Sequence, residues 1–206
     1  MPTTRADFRV ALRQDLRDED SGAYLWTDAV LNRHIAHAVQ DIQQVAPVVG
    51  SVLKTLSAPV TNRLTLTADL PATVLWIDAI EYPIDQYPQE FAPFREEPGK
   101  AAYVLVEDPP AAAQVIRVWY AAAYTVGEAS SDMPVDLDRT LLTGAQGYAL
   151  RDQAVDMTDK LGPRDAIVSY QRLYERVLGE YHSMLGALRL RNARPTWMPV
   201  WRLTDE

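Results

Sequence analysis

The sequence predicts an α+β chain. Helices at its N- and C-terminal ends form one helical bundle, a small antiparallel β domain is inserted between them, and an extended C-terminal arm follows. Three observations predict this. Apolar residues recur at steps of three and four near both ends of the chain, as on helices that bury one face. Between residues 63 and 130 the period drops to two, and β-branched and aromatic residues take over, as in half-buried strands. Two helices, a run of strands and two more helices pack most simply as one bundle with an insertion.

Residues 5–17 (RADFRVALRQDLR) place Phe8, Leu12 and Leu16 four apart, the pattern of a short amphipathic helix. The polar run DEDSG at 18–22 ends it. Thr27 then suits an N-cap, and Asp28 after it carries a negative charge toward the helix N-terminus. Trp26 and Leu31 have the spacing of a hydrophobic staple around that cap. Leu31, Ile35, Ala38, Ile42 and Val45 form one stripe, and Pro47 stops the helix. Two helices joined this closely form a helical hairpin. Pro47, Gly50 and Pro59 make residues 47–62 a connector, in which Val52, Leu53 and Leu56 add a buried turn; residues 1–62 are the first part of the bundle.

Residues 63–130 are the inserted β domain. RLTLT from Arg63 alternates polar and apolar, and strands are expected again over 73–83, 101–107 and 114–126. The interval 83–100 (PIDQYPQEFAPFREEPGK), dense in proline and charge, is expected to be a long loop. Residues 131–192 supply two more helices. Pro134 suits the first turn of the third, and Leu137, Leu141, Ala145, Tyr148 and Ala149 line one face. Gly144 and Gly147 cost helix propensity there, which implies close approach by another helix. After LGPR, Gly162 and Pro163 open the longest helix, with a stripe of Ile167, Tyr170, Tyr174, Val177, Tyr181, Met184 and Leu188. Running to Arg191, it spans roughly 40 Å at 1.5 Å per residue. Residues 193–206, with two prolines and two tryptophans, form the arm.

A chain of 206 residues suits one compact domain, or one carrying a sizeable insertion, and 48% hydrophobic residues leave room for a core. Its apolar runs fall well short of the roughly 20 residues of a membrane span, and residues 1–20 lack the order of a signal peptide. With no cysteine, disulfides, thiolate chemistry and Cys-ligated metals are excluded, and synthesis in a cytoplasm fits. The formal charge of −8 argues against a protein that coats nucleic acid. That charge is uneven. Residues 61–130 hold 4 basic and 10 acidic side chains, whereas Arg189, Arg191, Arg194 and Arg202 stand in a stretch with no acid between them.

No catalytic residue, cofactor or metal site is expected. His34 and His37, three apart, are joined only by His182, and two helix histidines make too few ligands. His37 with Asp41 is expected to be a surface pair, and the acids at Asp18–Asp20 and Glu96–Glu97 to be solvated turns. Nucleophile elbow, Walker loop and dinucleotide glycine turn are all missing. Contact surfaces stand out instead. Tyr82, Tyr87, Phe91 and Phe94 lie in the proline-rich loop with Glu96 and Glu97, and Trp197 and Trp201 lie beside Arg194 and Arg202 in the arm. Tyr, Trp and Arg are the residue types enriched at interface hot spots. The plainer expectation is that these aromatics fold back onto the bundle as local anchors.

The segment LRQDLRDEDSGAYLWTDAVLNRHIAHAVQDIQQVAP resembles the start of head-to-tail adaptor proteins of tailed bacteriophages, also called head–tail connector or head-completion proteins. The resemblance is carried by Leu12 with Leu16, by Asp18 to Asp20, and by Trp26-Thr27-Asp28 with Leu31. IRVWYAAAYTV and MPVDLDRTLLTGAQGYAL extend it along most of the chain. It implies a non-enzymatic virion protein made in the host cytoplasm and located in the neck between capsid and tail. There it would form a homo-oligomeric ring, usually of twelve, that joins the portal protein to tail-side proteins and surrounds the DNA channel. It further implies portal docking by Arg189, Arg191, Arg194, Trp197, Trp201 and Arg202. The loop carrying Tyr82, Tyr87, Phe91, Phe94, Glu96 and Glu97 would face the tail side or the channel, where acidic surface lets DNA slide. The alternatives are a β-dominated stopper or tail terminator, a hydrolase using carboxylates of the 83–100 loop, and a helical DNA-binding regulator.

Overall fold

The structure is a computed structural model that describes residues 4–56, 63–66, 68–97, 101–104, 110–160 and 164–192. It is α+β, with helices from both ends of the chain and antiparallel strands inserted between them. The chain forms two compact units: one from the described residues up to Ala46 and from Tyr124 onward, the other from residues 47–123.

The helical unit begins with α1 (Arg5–Leu16). Thr4 caps it through a reciprocal capping box with Asp7, and Phe8 and Leu12 point into the core. Helix α2 (Asp28–Val45) starts at Thr27, whose hydroxyl accepts from the Val30 backbone N–H as expected of an N-cap. Trp26 and Leu31, the two staple residues, both belong to the buried core. The α2 stripe is buried at Leu31, Ile35, Ala38 and Ile42 and only half-buried at Val45. A 3-10 turn (Val135–Leu137) after Pro134 leads into α3 (Asp138–Asp159), and α4 (Arg164–Arg191) is the longest element, at 28 residues.

Glycine decides how closely these helices pack. A Cβ built on Gly144 would lie 2.6 Å from the Tyr181 ring and 3.1 Å from Ala38 Cβ; one on Gly147 would lie 2.6 Å from Leu178 Cδ2. The close approach expected of both glycines is therefore made by α4, with α2 also reaching Gly144. The α4 stripe departs from its expected burial. Only Val177 and Tyr181 are buried, while Ile167, Tyr170, Tyr174, Met184 and Leu188 stay half-buried.

Among the described residues the second unit holds seven strands, where four are expected. They are β1 (Val48–Thr55), β2 (Arg63–Thr65), β3 (Val74–Glu81), β4 (Phe91–Ala92), β5 (Phe94–Glu97), β6 (Ala101–Val104) and β7 (Val115–Ala122). All pairs are antiparallel, in a four-stranded sheet ordered β1-β7-β3-β4 and a three-stranded one ordered β2-β6-β5. Leu64, Ala102 and Val104 of the smaller sheet share one core with Ile77, Ile80, Ile116 and Val118 of the larger. Two expectations are corrected. The connector of residues 47–62 contains β1, an eight-residue strand whose burial alternates along its length. Gly50, expected to mark a connector, is a strand residue on which a Cβ would meet the Tyr120 ring at 2.7 Å. The 83–100 loop in turn contains β4 and β5, so its true turn is residues 82–90. The C-terminal arm lies outside the described residues.

Candidate functional site

Two residues that carry the resemblance, Asp18 and Asp28, belong to a polar network in the α1–α2 turn. Arg17 ends α1 in the left-handed region, at φ 55°, and reverses the chain. Asp18 is then buried, accepting from the Leu25 N–H at 2.7 Å, the Trp26 N–H at 3.3 Å and Arg13 Nη1 at 2.7 Å. Arg13 also donates to Asp28 at 2.8 Å and lies 3.6 Å from the centre of the Tyr24 ring, a cation–π distance. Asp18 thus receives, from Arg13 and from the Leu25 and Trp26 amides, the donors that a carboxylate needs in a site away from water. Asp18 is not the solvated turn acid that was expected. Asp20 is exposed and closes a small turn by accepting from the Gly22 N–H at 2.9 Å.

A second polar cluster lies within the helices. The expected His37–Asp41 surface pair is replaced: Asp41 accepts from the hydroxyls of Tyr148 and Tyr181, the latter at 3.1 Å. His37 instead meets Tyr148 edge-on, with ring centres 5.9 Å apart. Burial, aided by the Asp41 carboxylate, pushes both hydroxyls above their usual pKa, Tyr148 to about 12. They therefore act as donors, not bases. Among the described residues no three His, Cys, Asp or Glu side chains stand where they could hold a metal.

His34 sits on the buried side of α2, with neither ring nitrogen hydrogen-bonded and the Asp152 carboxylate 3.6 Å from Nε2. Burial lowers its pKa from 6.5 to about 4, against the pull of Asp152 and helped by Arg33. The unfolded chain takes up this proton at higher pH than the folded one, so the stability from keeping His34 neutral is complete above pH 6.5 and lost as pH falls toward 4. Urea titrations at pH 7 and pH 4.5 check this: His34→Leu narrows the drop between them, and an unchanged drop assigns the acid sensitivity elsewhere.

The two candidate contact surfaces are placed as follows. Arg189 and Arg191 are exposed in the last turn of α4, and Arg191 reaches Asp136 at 3.2 Å. Arg194, Trp197, Trp201 and Arg202 lie outside the described residues. In the other unit, Tyr82 and Phe94 pack against that unit's own core, and Phe91 is half-buried in β4. Tyr82 and Phe94 are thus anchored in the β unit's own core rather than on the bundle, where the plainer expectation puts them. Glu96 accepts from the Ile77 N–H at 3.2 Å, and Glu97 pairs with Ala101 in the ladder. Tyr87 alone among the aromatics of the loop is wholly exposed, at 100%.

A surface that the sequence did not point to is a cleft of about 430 Å³ in the helical unit, beside the α1–α2 turn. Leu16, Trp26 and Leu150 form its floor, with Tyr170 and Leu173 of α4 on one wall. Arg17, Arg176 and Asp15 stand at its rim. Burial raises the pKa of the Asp15 carboxyl above its usual range. The residues come from three helices, and no short motif joins them.

No protein-family model and no curated protein matches the chain. Among solved structures, a chain of the neck of an empty GTA particle, computed with C6 symmetry, is similar. The identity is 19% over 70% of this chain and 76% of that one, with a TM-score of 0.29. A chain of the neck of a native GTA particle, computed with C12 symmetry, is 16% identical over 72% and 80%, also with a TM-score of 0.29. A similarity of that size assigns neither a family nor a role.

Proposed function

We propose that the chain is a head-to-tail adaptor of a tailed phage or phage-like particle, working by assembly rather than catalysis. In this reading it forms a ring beneath the portal, joins portal to tail-side neck proteins and surrounds the DNA channel. The observation that carries it is the helical hairpin. Four residues of the resemblance have definite jobs in that hairpin: Leu12 in the core, Asp18 receiving two amides and an arginine, Thr27 capping, Asp28 holding Arg13. A turn so built presents one side of the hairpin in a fixed geometry, as a docking module needs.

The exposed Arg189 and Arg191 at the end of α4, continuing into Arg194, Trp197, Trp201 and Arg202, fit the portal-facing contact. The β unit, with its excess of acidic residues, fits the tail side or the channel. The test is electron microscopy of particles carrying labelled protein. Label at the single vertex joining head to tail is expected, and particles without label overturn the role. Arg191→Glu with Arg194→Glu is expected to cut portal binding at least tenfold while leaving the helical content unchanged. Unchanged binding removes the arm from the portal contact.

A further inference from the structure

We propose that the cleft beside the α1–α2 turn of one copy receives the Tyr87 turn of a second copy of this chain. This rests on the ring reading above and names two surfaces through which copies meet. The cleft has an apolar floor in Leu16, Trp26 and Leu150 and enough volume for an aromatic side chain. Arg17 and Arg176 at its rim are exposed, and neither forms an ion pair among the described residues. Other arginines of the same unit are engaged: Arg9 by Glu128 and Asp28, Arg13 by Asp18 and Asp28, Arg33 by Asp152.

The Tyr87 turn is the complement. Its tyrosine is fully in solvent, yet its base is tied down. The Asp85 N–H donates to Glu81 at 3.2 Å, Arg117 holds Asp85 at 2.9 Å, and the Tyr82 N–H closes the turn on the Glu90 carbonyl at 3.1 Å. An aromatic held out on an ordered base loses little freedom on docking. Glu90 is exposed and forms no ion pair among the described residues, so it is available to the rim arginines. Asp15, whose carboxylate has no hydrogen-bond donor among the described residues, can accept from the Tyr87 hydroxyl. Asp41 already accepts from two tyrosines in this chain. Cleft and turn are different surfaces of each copy, so the contact, repeated about a rotation axis, can close a ring.

The chain has no cysteine, which makes cross-linking decisive. Full-length protein carrying Gln89→Cys is mixed with full-length protein carrying Ser169→Cys, and the mixture is oxidised. A disulfide-linked heterodimer is expected. Its yield should fall at least tenfold when Tyr87→Ala is added to the first chain or Arg176→Glu to the second, and return when Glu90→Arg is combined with Arg176→Glu. Tyr87, Glu90 and Arg176 are exposed, and circular dichroism checks that the variants stay folded. The inference is overturned by a missing heterodimer, by a yield that ignores Tyr87→Ala, or by a chain that stays monomeric up to its solubility limit. Label at the particle vertex without this cross-link overturns the contact and keeps the neck role. The cross-link without vertex label does the reverse.

Discussion

Asp18→Ala lowers the stability of the helical unit by about 3 kcal/mol, the low end of the cost of breaking a buried ion pair. The substitution removes the acceptor of two backbone amides and the inner partner of Arg13 in one step. Arg13 keeps Asp28, which is largely in solvent, and that holds the loss to the low end. Asp18→Asn separates the parts. It retains an acceptor for the Leu25 amide but loses the charge and the oxygen that the Trp26 amide and Arg13 share, so it should cost somewhat less than alanine. Urea unfolding followed by helical circular dichroism gives the comparison. Equal losses for both variants would mean that the charge, and not the turn, carries the effect.

The same substitution, glycine to alanine, should change sign along the helices. At Gly144 the added methyl meets the Tyr181 ring, and that ring cannot swing away. It is buried, and its hydroxyl is held by Asp41 and by the Ala38 carbonyl at 3.2 Å. Overpacking of this kind costs roughly 1–3 kcal/mol, more than the ~1 kcal/mol of helix propensity that alanine returns. At Gly147 the obstacle is the end of the half-buried Leu178 side chain, which can rotate, so the two effects nearly cancel. At Gly179 and Gly186 an added Cβ meets nothing within 4 Å. There alanine should stabilise the free chain by about 1 kcal/mol each. Thermal unfolding of the four variants checks the order. A stabilising Gly144→Ala would mean that α3 and α4 lie farther apart than described.

These outcomes mark where sequence suffices. The caps, staple and stripe of α2 were legible because each depends on neighbours within one or two turns: Thr27 on Val30, Trp26 and Leu31 around the cap. Likewise Gly144 and Gly147, costly inside a helix, announced a close neighbour before the neighbour was known. The β unit was less legible. Glycine at position 50 and proline-rich spacing from residue 83 look locally like punctuation, whereas the Tyr120 ring above Gly50 and the ladder partners of β4 and β5 come from far along the chain.

The candidate site divides in the same way. Composition and spacing by themselves determined the α+β order, the helical hairpin and a chain without cysteine chemistry. They also showed clusters of aromatic residues in the proline-rich interval and of tryptophan and arginine in the arm, outside the helical stripes. Only the tertiary structure decided which of those residues are free to act. It buried His34, turned Asp18 into a structural acceptor and Asp41 into the partner of two tyrosines, and packed Tyr82 and Phe94 inward while leaving Tyr87 in solvent. It also assembled a cleft from three helices. Burial is a property of the whole packing, and residues distant in sequence fix it together.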